Sequence, residues 1–152
     1  MYIKHSDINW SAFVTLGEKL IGKPYKFGAE VNLTDGDPTK ILAIDCSELV
    51  EWLYTQLKKI DGSQATLFMP DGSYNQAKMC THVDVSHLLI GDLGFKWWPD
   101  TQVIHHVGVY IGNNKILEAK GRAWGTIVTS VENYMRSDQF AFFGRHPKIE
   151  DA

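Results

Sequence analysis

The sequence predicts an α+β fold in which N-terminal helices pack on a central antiparallel β-sheet. Two observations indicate this class: helical spacing of apolar residues is confined to the first part of the chain, and alternating segments rich in β-branched and aromatic residues follow later. The chain has 152 residues, of which 44% are hydrophobic. That length and apolar content predict one domain over residues 1–152 with a substantial core.

Two helices are expected before the sheet. Residues 7–20 place apolar side chains at approximately helical spacing, with Asp7 as the N-cap and Gly22 as the terminator. A second helix is expected to begin at residues 44–47 and to close near residues 58–62. The polar segment 32–40, rich in turn-forming residues, is predicted to be a loop. Residues 61–81 are interpreted as largely irregular.

The strands are predicted in the second half of the chain. Residues 88–95 indicate a strand entered through a turn, and residues 103–111 alternate well and are rich in β-branched residues. Asn113 and Asn114 favour a tight turn, after which residues 115–119 form the returning strand of a hairpin. Two shorter strands are expected at residues 126–131 and 139–144. We expect five or six strands in total.

Charge and hydropathy narrow the range of functions. The net charge is −3 and no basic stretch stands out, which argues against a nucleic-acid partner. No apolar run approaches the roughly 18 residues that span a bilayer, so no membrane insertion is expected. The first ten residues lack the apolar segment and cleavage site of a signal peptide. We therefore expect a soluble protein made in the cytosol, with one or both of its two cysteines as free thiols.

Cys46 is the first candidate for chemistry because it lies at the predicted start of the second helix. A helix N-terminus offers unpaired N–H groups and a partial positive charge, and both stabilise a thiolate. The same N–H groups can hold the oxyanion that forms when a thiolate attacks a carbonyl. Taken alone, however, a cysteine at this position is more often a small buried structural residue.

His106 is the second candidate. Alternation along the predicted strand puts Val107, Val109 and Ile111 on one face and His106 on the other, with the adjacent His105 pointing away from it. An imidazole on a rigid strand can be held within hydrogen-bonding reach of a helix terminus, as a Cys–His pair requires. A single histidine is otherwise most often an ordinary half-buried residue.

Four segments together resemble the NlpC/P60 cell-wall peptidases. They are GKPYKFGAE (22–30), IDCSELVEWLY (44–54), LLIGDLGFKW (88–97) and HHVGVYIGNNKILEAKG (105–121). The specific signal is HVGVYIG joined to an upstream DCS. The resemblance extends over roughly residues 10 to 145. It implies a papain-like fold and a cysteine hydrolase that cleaves an amide bond in the peptide portion of bacterial peptidoglycan. We expect no metal and no cofactor.

The resemblance also implies roles for individual residues. Cys46 corresponds to the nucleophile and His106 to the base, while Tyr25 corresponds to the tyrosine beside the oxyanion site. Asp45 and Ser47 correspond to the residues that shape the turn at the nucleophile.

Two positions depart from the family pattern. The third catalytic position, most often histidine, is Glu118 here, and a carboxylate can likewise orient an imidazole and stabilise imidazolium. Glu48 occupies a position that is usually glycine, where a side chain is expected to crowd or charge the rim of the cleft. The loop at residues 29–44 is longer than in the shortest members and is expected to contribute to the substrate groove.

Alternatives to a wall peptidase remain at this point. The chain could be an inactive structural or binding relative, a papain-like amidase, acyltransferase or deubiquitinase-like enzyme on another substrate, or a small-ligand binding module. A wall enzyme would act on stem peptides as a phage lysis or tail-associated enzyme, or as an antibacterial effector, delivered without a standard signal. Cys80, His82 and His87 lack the spacing of zinc ligands. Trp97 and Trp98 are interpreted as core or loop anchors rather than as a stacking platform.

Overall fold

The computed structural model describes residues 1–151. The helices are α1 (Trp10–Glu18), α2 (Cys46–Thr55), α3 (Ser73–Met79) and α4 (Val131–Arg136). The strands are β1 (Ile3–Lys4), β2 (Thr81–Val83), β3 (Leu93–Trp97), β4 (Ile104–Tyr110), β5 (Lys115–Ala119), β6 (Thr126–Ser130), β7 (Phe140–Arg145) and β8 (Ile149–Glu150). None of these helices is long and apolar enough to cross a bilayer.

A six-stranded antiparallel sheet forms the centre of the fold, with strand order β2-β7-β3-β4-β5-β6. The short strands β1 and β8 pair separately and in parallel. Strand β4, which carries His106, lies inside the sheet between β3 and β5. The predicted α+β class, with helices on a central antiparallel sheet, is therefore confirmed.

Alternation along the strands gives the sheet two different faces. On one face the main core forms between α2 and the buried residues of the central strands. Its central members are Leu49, Val50, Leu53, Leu93, Phe95, Val107, Val109 and Leu117. On the other face α4 packs its Tyr134 against Ile116 and Phe143. His106 belongs to this second face, since its ring lies 6.2 Å from that of Tyr134.

Several local expectations were wrong. Helix α1 begins at Trp10, because Asn9 rather than Asp7 is its N-cap and accepts a hydrogen bond from the Ala12 N–H at 3.0 Å. Helix α3 and strand β2 lie in residues expected to be irregular, and α4 was not predicted. Each of these elements has seven residues or fewer, too few for a hydrophobic period to be recognised. Strand β3 begins only at Leu93, after the turn that precedes it.

Candidate active site

The first turn of α2 is fixed by two carboxylates. Asp45 is the N-cap, and its Oδ1 accepts hydrogen bonds from the Glu48 N–H at 2.9 Å and the Ser47 hydroxyl at 3.2 Å. Glu48 in turn accepts from the Asp45 N–H at 3.3 Å, which completes a capping box. Cys46 is the first residue of the helix. Asp45 and Ser47 therefore hold the backbone on both sides of the cysteine.

Glu48 also binds the loop that precedes the helix. Its two carboxylate oxygens accept from the N–H groups of Ala29 and Val31, each at 3.2 Å. Asp45 Oδ2 accepts from the Gly28 N–H at 3.0 Å. The expected crowding of the cleft is not what the structure shows, because the Glu48 carboxylate is engaged by backbone N–H groups. It ties the loop to α2.

The Cys46 thiol is almost completely buried, with 8% of the residue exposed. Burial raises the pKa of Cys46 to about 11, and the charge of Asp45 raises it as well, whereas the N–H groups of Val107 and Ser47 lower it. The expected help from the helix N-terminus is thus present but is outweighed by burial. The resting thiol is protonated, so nucleophilic attack would need a base.

The Val107 N–H that lowers the pKa of Cys46 belongs to the residue that follows His106. Strands β4 and β5 pair at Val109–Leu117 and Tyr110–Ile116, and their pairing does not extend to the start of β4. Tyr110 donates its N–H towards Asp92, whereas Ile111 donates towards Lys115 at the β5 end of the hairpin. By alternation the Val107 N–H also points to the β5 side, where the two strands separate. The Cys46 sulfur faces this N–H, at the residue that follows His106.

His106 and Glu118 form a buried pair across this separation. The distance from His106 Nε2 to Glu118 Oε1 is 2.8 Å, and the residues are 9% and 1% exposed. Gly108 makes the approach possible, because a Cβ there would lie 2.6 Å from Ile116 Cγ2 and 3.3 Å from Glu118 Cβ. The side chains of adjacent strands could not close in this way around a larger residue.

The protonation of the pair follows from its surroundings. Burial acts to raise the pKa of Glu118, but the hydrogen bond and charge of His106, together with Thr129 and Lys96, outweigh it and leave that pKa lowered. An ionised carboxylate can only accept hydrogen bonds. His106 therefore donates its Nε2–H to Glu118, and its Nδ1 is the nitrogen that can accept a proton.

His105 has different neighbours, as alternation predicts. Its ring stacks on Trp98 with centroids 3.7 Å apart and an interplanar angle of 12°. Trp98 itself closes a turn, because its N–H donates to the Val103 carbonyl at 3.0 Å and its carbonyl accepts from the Gln102 N–H at 2.7 Å. These contacts favour the interpretation of Trp98 as a loop anchor.

Tyr25 shares the surroundings of the thiol. It forms an isolated parallel bridge with Ile44, just before the start of α2. Burial raises the pKa of Tyr25 to about 12, and the charges of Asp45, Glu48 and, once it is ionised, Cys46 act in the same direction. The phenol therefore remains protonated and is available as a hydrogen-bond donor near Cys46.

Three further residues surround the site and were missed from the sequence. The Tyr134 hydroxyl donates to the Gly94 carbonyl at 2.8 Å, and Lys96 Nζ lies 4.4 Å from the centre of the Tyr134 ring. Gln76 is fully buried and donates its Nε2–H to the Ser47 carbonyl at 3.1 Å. Tyr134 and Gln76 lie on the unpredicted helices. Lys96 could have been found from the register of β3 against β4.

Cys80, His82 and His87, whose spacing is not that of zinc ligands, lie in three different environments. Cys80 is buried, and burial raises its pKa to about 12. The His82 ring stacks on Phe142 with centroids 3.9 Å apart, and His87 is exposed beside Ser86. Within residues 1–151 no three His, Cys, Asp or Glu side chains are grouped so that they could hold a metal ion.

Comparison with known proteins places this site in a family. The profile of the NlpC/P60 family matches residues 22–145. This chain belongs to the NlpC/P60 family. It is 30% identical over 115 residues to the murein DD-endopeptidase MepH of Escherichia coli, a match that covers 75% of the chain and 38% of the relative. It is 32% identical over 108 residues to a probable endopeptidase of Corynebacterium glutamicum, covering 71% and 42%. The matches therefore span less than half the length of these curated relatives.

Solved structures agree on the fold. An NlpC/P60 family protein from Bacillus cereus superposes with a TM-score of 0.70 at 20% identity, covering 92% of this chain and 41% of that one. The NlpC/P60 domain of the peptidoglycan hydrolase SagA gives 0.65 at 24% identity, covering 90% and 98%. The peptidoglycan hydrolase RipB of Mycobacterium tuberculosis gives 0.63 at 26% identity, covering 90% and 66%.

Proposed function

We propose that this NlpC/P60 protein is a cysteine peptidase or amidase that hydrolyses an amide bond in the stem peptide of peptidoglycan. The observation that carries the proposal is the buried hydrogen bond from His106 to Glu118, made from the strand whose Val107 N–H lowers the pKa of the buried Cys46 at the start of α2. Family membership and relatives named as endopeptidases supply the substrate class. In this proposal Cys46 is the nucleophile, His106 the base and Glu118 the orienting carboxylate.

The first half-reaction forms an acyl-enzyme. His106 Nδ1 takes the proton of the Cys46 thiol, and the thiolate sulfur attacks the carbonyl carbon of the substrate. Glu118 stabilises the imidazolium that results. The oxyanion is stabilised by N–H groups at the start of α2 and by the Tyr25 phenol. His106 then gives its proton to the departing amine as the C–N bond breaks, leaving a thioester on Cys46.

The second half-reaction restores the enzyme. His106, neutral again, accepts a proton from water, and the hydroxide oxygen attacks the thioester carbon. The C–S bond breaks, the sulfur recovers its proton from imidazolium, and the free carboxylic acid leaves. In this proposal residues 1–152 form the catalytic unit. It works at the cell wall as a phage lysis or tail-associated enzyme or as a secreted effector.

The test is hydrolysis of purified peptidoglycan. Wild-type protein should lower the turbidity of a sacculus suspension and release fragments with new amino groups, identified by mass spectrometry. Cys46→Ala should abolish release, whereas Cys80→Ala, the matched loss of the other buried thiol, should retain it. Sacculi that bind the wild-type protein without any new termini would contradict the proposal and favour an inactive, binding relative.

A further inference from the structure

Lys96 is a half-buried cation in the active site that the proposed reaction does not use. The register of β3 against β4 places it directly opposite His106. Paired residues of adjacent strands project from the same face of a sheet. Its Nζ lies over the Tyr134 ring at 4.4 Å, and the same ring lies 6.2 Å from that of His106. Lys96 therefore belongs to the face of the sheet that carries the His106–Glu118 pair.

Glu118 needs more compensation than one hydrogen bond gives. Only Oε1 bonds to His106, while the buried Oε2 has no hydrogen-bond partner within residues 1–151. A buried carboxylate costs free energy unless its charge is compensated and its remaining lone pairs are satisfied. If His106 alone compensated Glu118, the carboxylate would favour imidazolium. Imidazolium cannot take the proton of a thiol.

We propose that Lys96 is a positioning residue that shares the charge of Glu118, so that the carboxylate orients His106 without locking it in the protonated form. This inference rests on the proposed role of His106 as a base. The electrostatics are consistent with it: the charge of Glu118 acts to raise the pKa of Lys96, although burial lowers that pKa overall, and Lys96 acts to lower the pKa of Glu118. Tyr134 holds the ammonium group in place through its ring.

Titratable groups lie on every element that packs around His106. They are Lys96 on β3, His105 on β4, Glu118 on β5 with Lys120 just after it, Cys46 on α2 and Tyr134 on α4. Tyr134 remains neutral because burial raises its pKa well above the usual range. Cys46 is neutral at rest for the same reason. The protonation of the His106 imidazole therefore depends on the opposing charges of Glu118 and the nearby cations. Among these cations, Lys96 is the cross-strand partner of His106.

The test is Lys96→Met, which keeps an apolar side chain over Tyr134 but removes the charge. The imidazole of His106, followed by NMR, should titrate at a pH higher by about half to one unit. The acid limb of the pH–rate profile on stem peptides should move by the same amount. Lys96→Arg should restore most of the wild-type titration. Lys148→Met is the matched control, because Lys148 Nζ also covers an aromatic ring, that of Tyr2, at 4.7 Å.

The outcomes test the role of Lys96 independently of the proposed peptidase or amidase activity. An unchanged His106 titration in folded Lys96→Met protein would overturn the inference, even if Cys46 and His106 proved essential for cleavage. A shifted titration in a protein that cleaves no stem peptide would support the inference and contradict the proposed function. If Lys96→Met does not fold, Lys96→Gln provides the same measurement. An equal shift in Lys148→Met would mean that the effect is not local.

Discussion

The structure contains two buried ionic pairs, Arg145–Asp92 and His106–Glu118, and their hydrogen bonding differs. Arg145 binds Asp92 through two parallel hydrogen bonds of 2.8 and 2.7 Å, and Asp92 Oδ2 also accepts from the Leu89 N–H at 2.8 Å. Both carboxylate oxygens are therefore satisfied. Glu118 Oε1 bonds to His106, and the other oxygen has no well-formed hydrogen bond in the described chain, although the nearby Thr129 also lowers the pKa of the carboxyl. The first pair is complete, whereas the second is not.

The difference indicates that one pair has a structural role and the other a role in the reaction. A guanidinium does not lose its proton in proteins, so the Arg145–Asp92 pair keeps one charge state and can act only on structure. An imidazole changes charge near neutral pH, so the His106–Glu118 pair can pass through two states during a reaction. Incomplete hydrogen bonding at Glu118 leaves the pair dependent on its neighbours. Removing each carboxylate should therefore affect different properties.

The largest expected effect is a loss of folding stability when the Arg145–Asp92 pair is broken. Asp92→Asn leaves the buried Arg145 guanidinium with the exposed Asp151 as its remaining charged partner among residues 1–151. We expect a loss of about 2–4 kcal/mol in the free energy of unfolding, measured by urea denaturation. Asp84→Asn, which alters an exposed carboxylate, should change it by less than about 0.5 kcal/mol. A loss as small as that of the control would mean that the Arg145–Asp92 pair contributes little.

The second effect is a loss of turnover when the His106–Glu118 pair loses its carboxylate. Glu118→Gln keeps the shape of the side chain and one acceptor oxygen but removes the charge that stabilises imidazolium. We expect turnover on stem peptides to fall by roughly ten- to a thousand-fold, less than for Cys46→Ala, because the strand still orients the ring. If both Glu118→Gln and Glu118→Ala retain the wild-type rate, the orienting group is not Glu118.

For Glu118→Gln the direction in which the pH–rate profile shifts can also be predicted. The thiol is neutral at rest because burial raises the pKa of Cys46 to about 11, so the acid limb of the rate reports loss of the neutral His106 base. Without the Glu118 carboxylate, imidazolium is less stable, and the acid limb should move to lower pH. Lys96→Met should move it the other way. Shifts of the same sign in the two variants would contradict the balance between Glu118 and Lys96.

The smallest effect is expected at Glu51, a buried carboxyl on α2 with an acidic rather than a basic neighbour. Burial and the proximity of Asp71 raise the pKa of Glu51 to about 8. The folded state therefore holds a proton that the unfolded chain loses near its ordinary pKa, so stability should fall from about pH 4.5 to pH 8. Glu51→Gln should remove this fall and raise Tm by about 2–4 °C at pH 8.5, with little gain at pH 4. A gain equal at both pH values would contradict the pKa shift.

The sequence predicted the parts of the site that depend on local pattern. The start of α2 near Cys46 follows from its helical pattern, and alternation separates His106 from His105, whereas Glu118 was indicated by the resemblance to the NlpC/P60 peptidases. The contact between His106 and Glu118 required only that the hairpin form in register. A short strand pair with a turn at its centre carries enough local information for that.

The rest depends on contacts between distant segments. Tyr134 is placed under the sheet by a helix of six residues, and Gln76 reaches Ser47 from a helix of seven. Such short helices have no recognisable period, and their position depends on packing. The protonation of Cys46 could not be predicted either. A helix N-terminus lowers the pKa of a thiol, and only the structure shows that burial exceeds it.

The measurement that tests the central claim most directly is the rate at which iodoacetamide labels each cysteine across the pH range. It requires no substrate, and Cys80, a second buried thiol whose pKa burial raises to about 12, is an internal control. If His106 activates Cys46, that thiol should be labelled well before Cys80 below pH 8, and His106→Ala should slow the labelling of Cys46 while leaving that of Cys80 unchanged. Equally slow labelling of both thiols in the wild-type protein would contradict the assignment of Cys46 as the nucleophile.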